Sequence, residues 1–92
     1  MIKFEWHWSK ASANLRKHGV TFNEASTVFA DVLAHTFPDS DHSDDEARFL
    51  IIGMSEIGRI LVVVHTDRCD TIRIISAREA TRKERNFYEE SR

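Results

Sequence analysis

Apolar and charged side chains alternate over Ile2, Lys3, Phe4, Glu5 and Trp6, the period-2 sign of a strand with one buried face. The pattern then changes. Ser9 is placed to cap a helix over residues 10–18, and Gly19 supplies a left-handed stop. Thr21 and Glu24 have the spacing of a capping box, with Val20 and Ala25 placed as a hydrophobic staple. That predicts a second helix starting at Phe22 and burying Ala25, Val28 and Phe29. Residues 33–37 read as a short strand, and Pro38 ends it or confines it to a sheet edge. Residues 48–55 and 59–67 are rich in Ile, Val, Leu and Phe and predict a hairpin joined through Glu56, Ile57 and Gly58. A turn over residues 67–70 leads into a third strand over residues 71–77. Two capping boxes then compete, Ser76 with Glu79 and Thr81 with Glu84; the second is preferred because the strand pattern persists to Arg78. Several strands are apolar at both parities, so both sheet faces are expected to be covered at least in part. The order predicts an α+β fold: an antiparallel β-sheet with two N-terminal helices and a C-terminal helix.

Composition narrows the class. Ninety-two residues suit one domain over 1–92. Hydrophobic residues at 41% and charged residues at 30% argue against disorder. No apolar run reaches the length of a membrane span, and the N-terminus lacks a signal-peptide core. Cys69 is the single cysteine, which rules out an internal disulfide and a cysteine zinc cluster and fits a reducing cytoplasm. The net charge is −2, but residues 20–46 carry seven acidic side chains and no Lys or Arg, whereas residues 73–92 hold six basic against four acidic. An acidic middle between two basic ends predicts a positive face suited to a polyanion if the ends meet.

Candidate chemistry follows from register. A turn closed by Thr66 opposite Thr71 would set Arg59 opposite Arg78, with His65 on the same face but roughly 20 Å away and Arg73 on the other face. A one-residue slip would reverse those faces. Two guanidiniums at a sheet edge suit a phosphodiester, and Tyr88 can add a hydrogen bond or move a proton. The alternative is that both arginines are ordinary strand-end groups and Tyr88 packs on the sheet. His18 sits where a cation favours the end of a helix. Asp39, Asp41, His42, Asp44, Asp45 and Glu46 form an acidic loop without the glycine and glutamate spacing of an EF-hand, so it reads as solvated, and no metal site is expected. Phe4 and Trp6 suit a core; Trp8 stands at a strand–helix junction.

Several segments together resemble one family: Phe4-Glu5-Trp6, Asn14, Lys17-His18-Gly19-Val20, Phe22 with Glu24-Ala25, the loop from Asp39 to Arg48, and Arg73 through Ser76-Ala77-Arg78 to Glu84-Arg85 and Tyr88. This pattern is similar to the BrnT toxins of bacterial type II toxin–antitoxin pairs, over nearly the full length. The resemblance implies a RelE-like fold, a ribonuclease that inhibits translation, and neutralisation by a BrnA-like ribbon-helix-helix antitoxin. Operator DNA would be contacted only through that antitoxin. Gly58-Arg59 resembles the arginine that follows the hairpin glycine in RelE-type enzymes, and Arg82 stands six residues before Tyr88 as their second arginine does; Arg78 is its rival. RelE carries lysines where this chain has Ile51 and Gly53, so the resemblance assigns no general base. The implied site is Arg59, Arg78, Arg82 and Tyr88, with Lys10, Lys83 and Arg85 holding the RNA backbone, and no cofactor. The competing class is a non-catalytic module whose basic surface binds an acidic partner.

Overall fold

The doubled apolar parity of the central strands has a direct counterpart in space. Ile51, Leu61, Val63, Ile74 and Ala77 face one way, into a core closed by Val20, Phe22, Ala25 and Val28. Ile52, Ile60 and Val62 face the other way, against Ala80 and Tyr88. In the computed structural model, which describes residues 2–39 and 47–91, the elements are β1 (Lys3–Glu5), α1 (Trp8–His18), α2 (Phe22–Thr27) and a 3-10 turn (Val28–Ala30). They continue as β2 (His35–Pro38), β3 (Arg48–Met54), β4 (Ile60–Arg68), β5 (Thr71–Glu79) and α3 (Arg82–Glu90). The fold is α+β. The sheet runs β1-β5-β4-β3-β2, antiparallel except that β1 lies parallel to β5. The predicted acidic loop falls at residues 40–46, outside the described residues apart from Asp39.

Local signals place most boundaries. Gly19 ends α1 in the left-handed region, its N–H bonded to the Leu15 carbonyl. Thr21 caps α2 through its hydroxyl, which accepts from the Glu24 N–H at 3.0 Å. The full capping box forms at Thr81 and Glu84 instead. Gly58, at φ +90°, closes the β3–β4 hairpin where an L side chain would be strained. Trp6 packs edge-on against Phe22 and Phe4 tilts against Phe29, so both serve the core.

Three boundaries differ from expectation. Helix α1 starts before Ser9, at Trp8, because the His7 carbonyl already accepts from the Ala11 N–H at 3.0 Å. β2 begins at His35 rather than Leu33, since the Leu33 and Ala34 N–H groups are held in a turn by Asp31. The β4–β5 turn is tighter than predicted: Arg68 pairs with Thr71, leaving only Cys69 and Asp70 between them. A register shift beside Val64 and His65 then leaves Ile75 unpaired. Arg78 therefore stands opposite Val62, not Arg59, and changes face, whereas His65 keeps the face of Arg59, the α1–α2 side, where its ring meets Phe29. Arg73, opposite Thr66, shares a face with Arg78.

One side chain substitutes for a missing strand. β1 pairs with β5 only as far as Arg73, so Ala77 lies on an open edge. The buried Asn14 amide donates to the Ala77 carbonyl at 2.8 Å and accepts from its N–H at 3.0 Å, and its second donor reaches the Val20 carbonyl at 3.0 Å. Asn14 thus joins α1, the α1–α2 connection and β5.

Two stability changes follow. Asn14→Ala strands three buried backbone groups and should lower the unfolding free energy in urea by about 2–3 kcal/mol. Cys69 is a non-glycine residue at φ +53°, so Cys69→Gly should raise stability by about 0.5–1 kcal/mol, read in the same titration.

Candidate functional site

Arg59 leaves the hairpin toward α2. Its Nε donates to Glu24 Oε2 at 3.0 Å, and Nη2 donates both to Glu24 Oε1 and to the Gly19 carbonyl, the latter at 3.1 Å. Ser55 adds a hydroxyl bond to the same carboxylate at 2.7 Å. Nη1 reaches Glu79 at 3.5 Å. Of the five guanidinium N–H donors, four are engaged. The Glu24 carboxyl is buried and held below the usual carboxylate range, chiefly by Arg59, against the opposing effect of burial. The Glu24 side chain does not close the capping box its spacing predicts, because the Arg59 guanidinium takes it instead.

Arg78 points from the opposite face, toward α3. Nη1 and Nη2 donate to the two oxygens of Glu84 at 2.7 and 2.9 Å, and Nη1 also reaches the Glu79 carbonyl at 3.3 Å. Among the described residues, Nε–H and one Nη2–H have no partner. Glu84 also accepts from the Thr81 N–H at 2.8 Å. Arg78 first, then that backbone bond, hold the Glu84 carboxyl down at about 2, against desolvation. Arg59 and Arg78 therefore do not share a pocket: neighbouring residues of β5, Arg78 and Glu79, send them to opposite faces.

Tyr88 is 2% exposed. Its hydroxyl donates to Asp31 Oδ2 at 2.6 Å, the oxygen that also accepts from the Met54 N–H at 2.8 Å. Asp31 and Tyr88 both line a 520 Å³ cavity with Thr27, Leu33, Met54 and Glu56. Nothing in the sequence announces Asp31, which lies 57 residues from its partner. Glu84 and Tyr88 are one helical turn apart on α3, so Arg78 and Tyr88 lie under the same helix face. Arg82 does not: six positions from Tyr88, it is displaced about 9 Å along the helix and about 120° around it.

Arg82, Lys83 and Arg85 are exposed, and none has an ion-pair partner among the described residues. Their placement opposes the helix dipole. Arg82 and Lys83 crowd the first turn of α3, whereas its last turn holds Glu89 and Glu90 and no basic residue. Lys10 lies elsewhere, beside Lys17 and His18 in a 210 Å³ cleft between α1 and the β5 edge at Ile75 and Ser76. Among the described residues no cluster of three His, Cys, Asp or Glu side chains is placed to hold a metal. No described helix is long and apolar enough to cross a membrane.

The Glu84 shift gives a pH signature. Its folded pKa of about 2 lies below the ordinary 4.5, so its stabilisation is complete above pH 4.5 and is lost as pH falls toward 2. The melting temperature should drop through that window, with Glu24 contributing in the same sense. Glu84→Gln should flatten part of the drop; an identical profile for the variant would refute this assignment.

No curated protein sequence matches the chain. Among solved structures, the ribonuclease toxin BrnT of Brucella abortus superposes with a TM-score of 0.69, at 24% identity, covering 89% of this chain and 100% of that one. At that identity the likeness is one of fold. A family model described as the ribonuclease toxin BrnT of type II toxin–antitoxin systems matches residues 6–84, a span that runs from Trp6 to the Glu84 partner of Arg78. The chain belongs to the BrnT family of type II toxin–antitoxin ribonuclease toxins.

Proposed function

We propose that this chain is a metal-independent endoribonuclease that suppresses translation and is held in check by a BrnA-like ribbon-helix-helix antitoxin. The family match over residues 6–84 carries the reading. The local arrangement supports it: a tyrosine bonded to a carboxylate, and, among the described residues, a guanidinium with two donors unengaged and three exposed cations without an ion-pair partner on one helix. In the reaction, a substrate 2′-OH attacks its own 3′-phosphate. The O2′–P bond forms, the P–O5′ bond breaks, and the products are a 2′,3′-cyclic phosphate and a free 5′-OH.

Arg78 is the better placed of the two strand arginines to meet the charge that builds on phosphorus. Its Nε–H and a remaining Nη2–H present a donor pair, and Glu84 holds the guanidinium plane still. Arg59 retains a single Nη1–H and acts in this scheme by fixing the hairpin. Arg82, at the N-terminus of α3, supplies further positive charge, and Lys83 and Arg85 hold the backbone. Lys10 contacts the strand farther along, at the α1–β5 cleft. Tyr88 moves protons: its phenol oxygen takes up the 2′-OH proton as its own passes to Asp31, and the reverse transfer delivers that proton to the departing O5′. Operator contact, in this scheme, belongs to the antitoxin, and the toxin acts in the cytoplasm.

The test uses purified, antitoxin-free protein and labelled RNA in EDTA. Wild type should cleave, and Tyr88→Phe and Arg82→Ala, each shown folded by circular dichroism, should slow cleavage about 100-fold. Loss of wild-type cleavage on chelation would refute metal independence. Unchanged rates in both variants would move the site away from α3.

A further inference from the structure

Beside Arg78 and Glu84 the open sheet face carries an aromatic surface that the mechanism above does not use. His35 pairs with Ile52, and Phe37 with Leu50, so both rings stand on the α3 side of the sheet. Phe87 comes down from α3 between them. Its ring centroid lies 5.3 Å from His35 and 5.6 Å from Phe37, while His35 and Phe37 are stacked at 6.5 Å with an interplanar angle of 20°. Phe37 is 36% exposed and Phe87 is 39% exposed. A cleft of 390 Å³ opens over Phe37 and Phe87, lined also by Leu50, Ile52, Lys83 and Glu84.

Of the two charged residues lining the cleft, the cation is the one left available. Glu84 is neutralised by its bidentate contact with Arg78, whereas Lys83 has no ion-pair partner among the described residues and sits one helical turn before Phe87. A ring platform offers an apolar π-face to any base, and a cation one turn away meets the phosphate attached to it. Leaving two phenyl rings exposed and unpaired cations in the first turn of α3 costs stability, which ligand binding would offset.

We infer that the His35–Phe37–Phe87 cluster with Lys83 is a base-binding subsite: one unpaired nucleobase of a single-stranded RNA stacks on the exposed rings while Lys83 holds its phosphate. The subsite rests on the ribonuclease reading and deepens it. It places a substrate nucleotide next to the one cleaved at Arg78 and makes aromatic stacking a source of affinity. Because every base has a π-face, the subsite favours unpaired strands over duplexes with little preference among bases.

The test measures affinity apart from cleavage. Full-length protein is titrated against a fluorescent 2′-O-methyl RNA hexamer, which lacks the attacking hydroxyl, and against six versions with one base removed at each position in turn. Phe37→Leu/Phe87→Leu keeps an apolar surface but removes both rings. Its affinity should fall about tenfold with the salt dependence unchanged, whereas Lys83→Gln should reduce the salt slope by about one ion. On wild type, one abasic position should reproduce the tenfold loss, and in the double variant that position should become silent. The abasic series stands even if the double variant folds poorly. Wild-type binding that is equal for all abasic hexamers and for the double variant would overturn the subsite and leave the ribonuclease reading intact. Failure of wild type either to bind the hexamer or to cleave unmodified RNA would overturn that reading itself. Unchanged RNA affinity in double variants that escape neutralisation by the cognate antitoxin would assign the cleft to protein docking instead.

Discussion

The Asp31 carboxylate is the point on which the geometry of the site turns. It accepts from the Leu33 N–H at 2.9 Å, the Met54 N–H at 2.8 Å and the Tyr88 hydroxyl at 2.6 Å. One acidic group thereby joins the turn after α2, the end of β3 and the C-terminal helix. The close approach depends on Gly53, where a Cβ would lie 2.8 Å from Ala34 Cβ and from Val28 Cγ1, and 3.3 Å from Asp31 Oδ2. Only a residue without a side chain lets the 28–34 segment lie flat on the strand. With that contact made, Tyr88 is buried against Ile52, Ile60 and Val62, and the rest of α3 is oriented across the open sheet face.

Charge is then sorted by burial. The two strand-end arginines each find a carboxylate in bidentate geometry, Arg59 with Glu24 and Arg78 with Glu84. A partly buried guanidinium without such a partner would carry an uncompensated desolvation penalty. The cations of α3 are treated differently: they are exposed and have no ion-pair partner among the described residues, and Arg82 and Lys83 stand in the turn where the helix dipole disfavours them. A stable fold has no need of that arrangement. It sets Arg59, with four donors engaged in the frame, apart from Arg78, which keeps two donors beside its Glu84 contact, and from the exposed cations of α3.

Local sequence chemistry accounted for much of the frame. The Thr21 and Thr81 caps, the Gly19 stop, the Gly58 hairpin and the edge placement of Pro38 all rest on interactions within a few residues, which is why spacing alone located them. Doubled apolar parity announced that both sheet faces are covered, because a strand can bury two faces only by being apolar on both. The motif pattern also pointed to the family. Corrections arose where two local solutions were equally good. Ser9 can cap a helix, but His7 starts it two residues sooner; the 67–70 segment can turn in several ways, and the tight turn at Cys69 and Asp70 together with unpaired Ile75 moved Arg78 off the face of Arg59 and His65 and onto that of Arg73.

By itself, the sequence determined which segments are helices and strands, that the fold is α+β, and that positive charge gathers toward the C-terminus. Those properties follow from backbone preferences and hydrophobic period, which act over short stretches of chain. Tertiary structure alone decided which carboxylate each arginine meets, that Asn14 completes the open edge of β5, that Asp31 receives the Tyr88 hydroxyl, and that the rings of His35, Phe37 and Phe87 meet. These contacts join residues far apart in the chain. Their geometry depends on strand register, and a shift of one residue exchanges the two faces of a sheet.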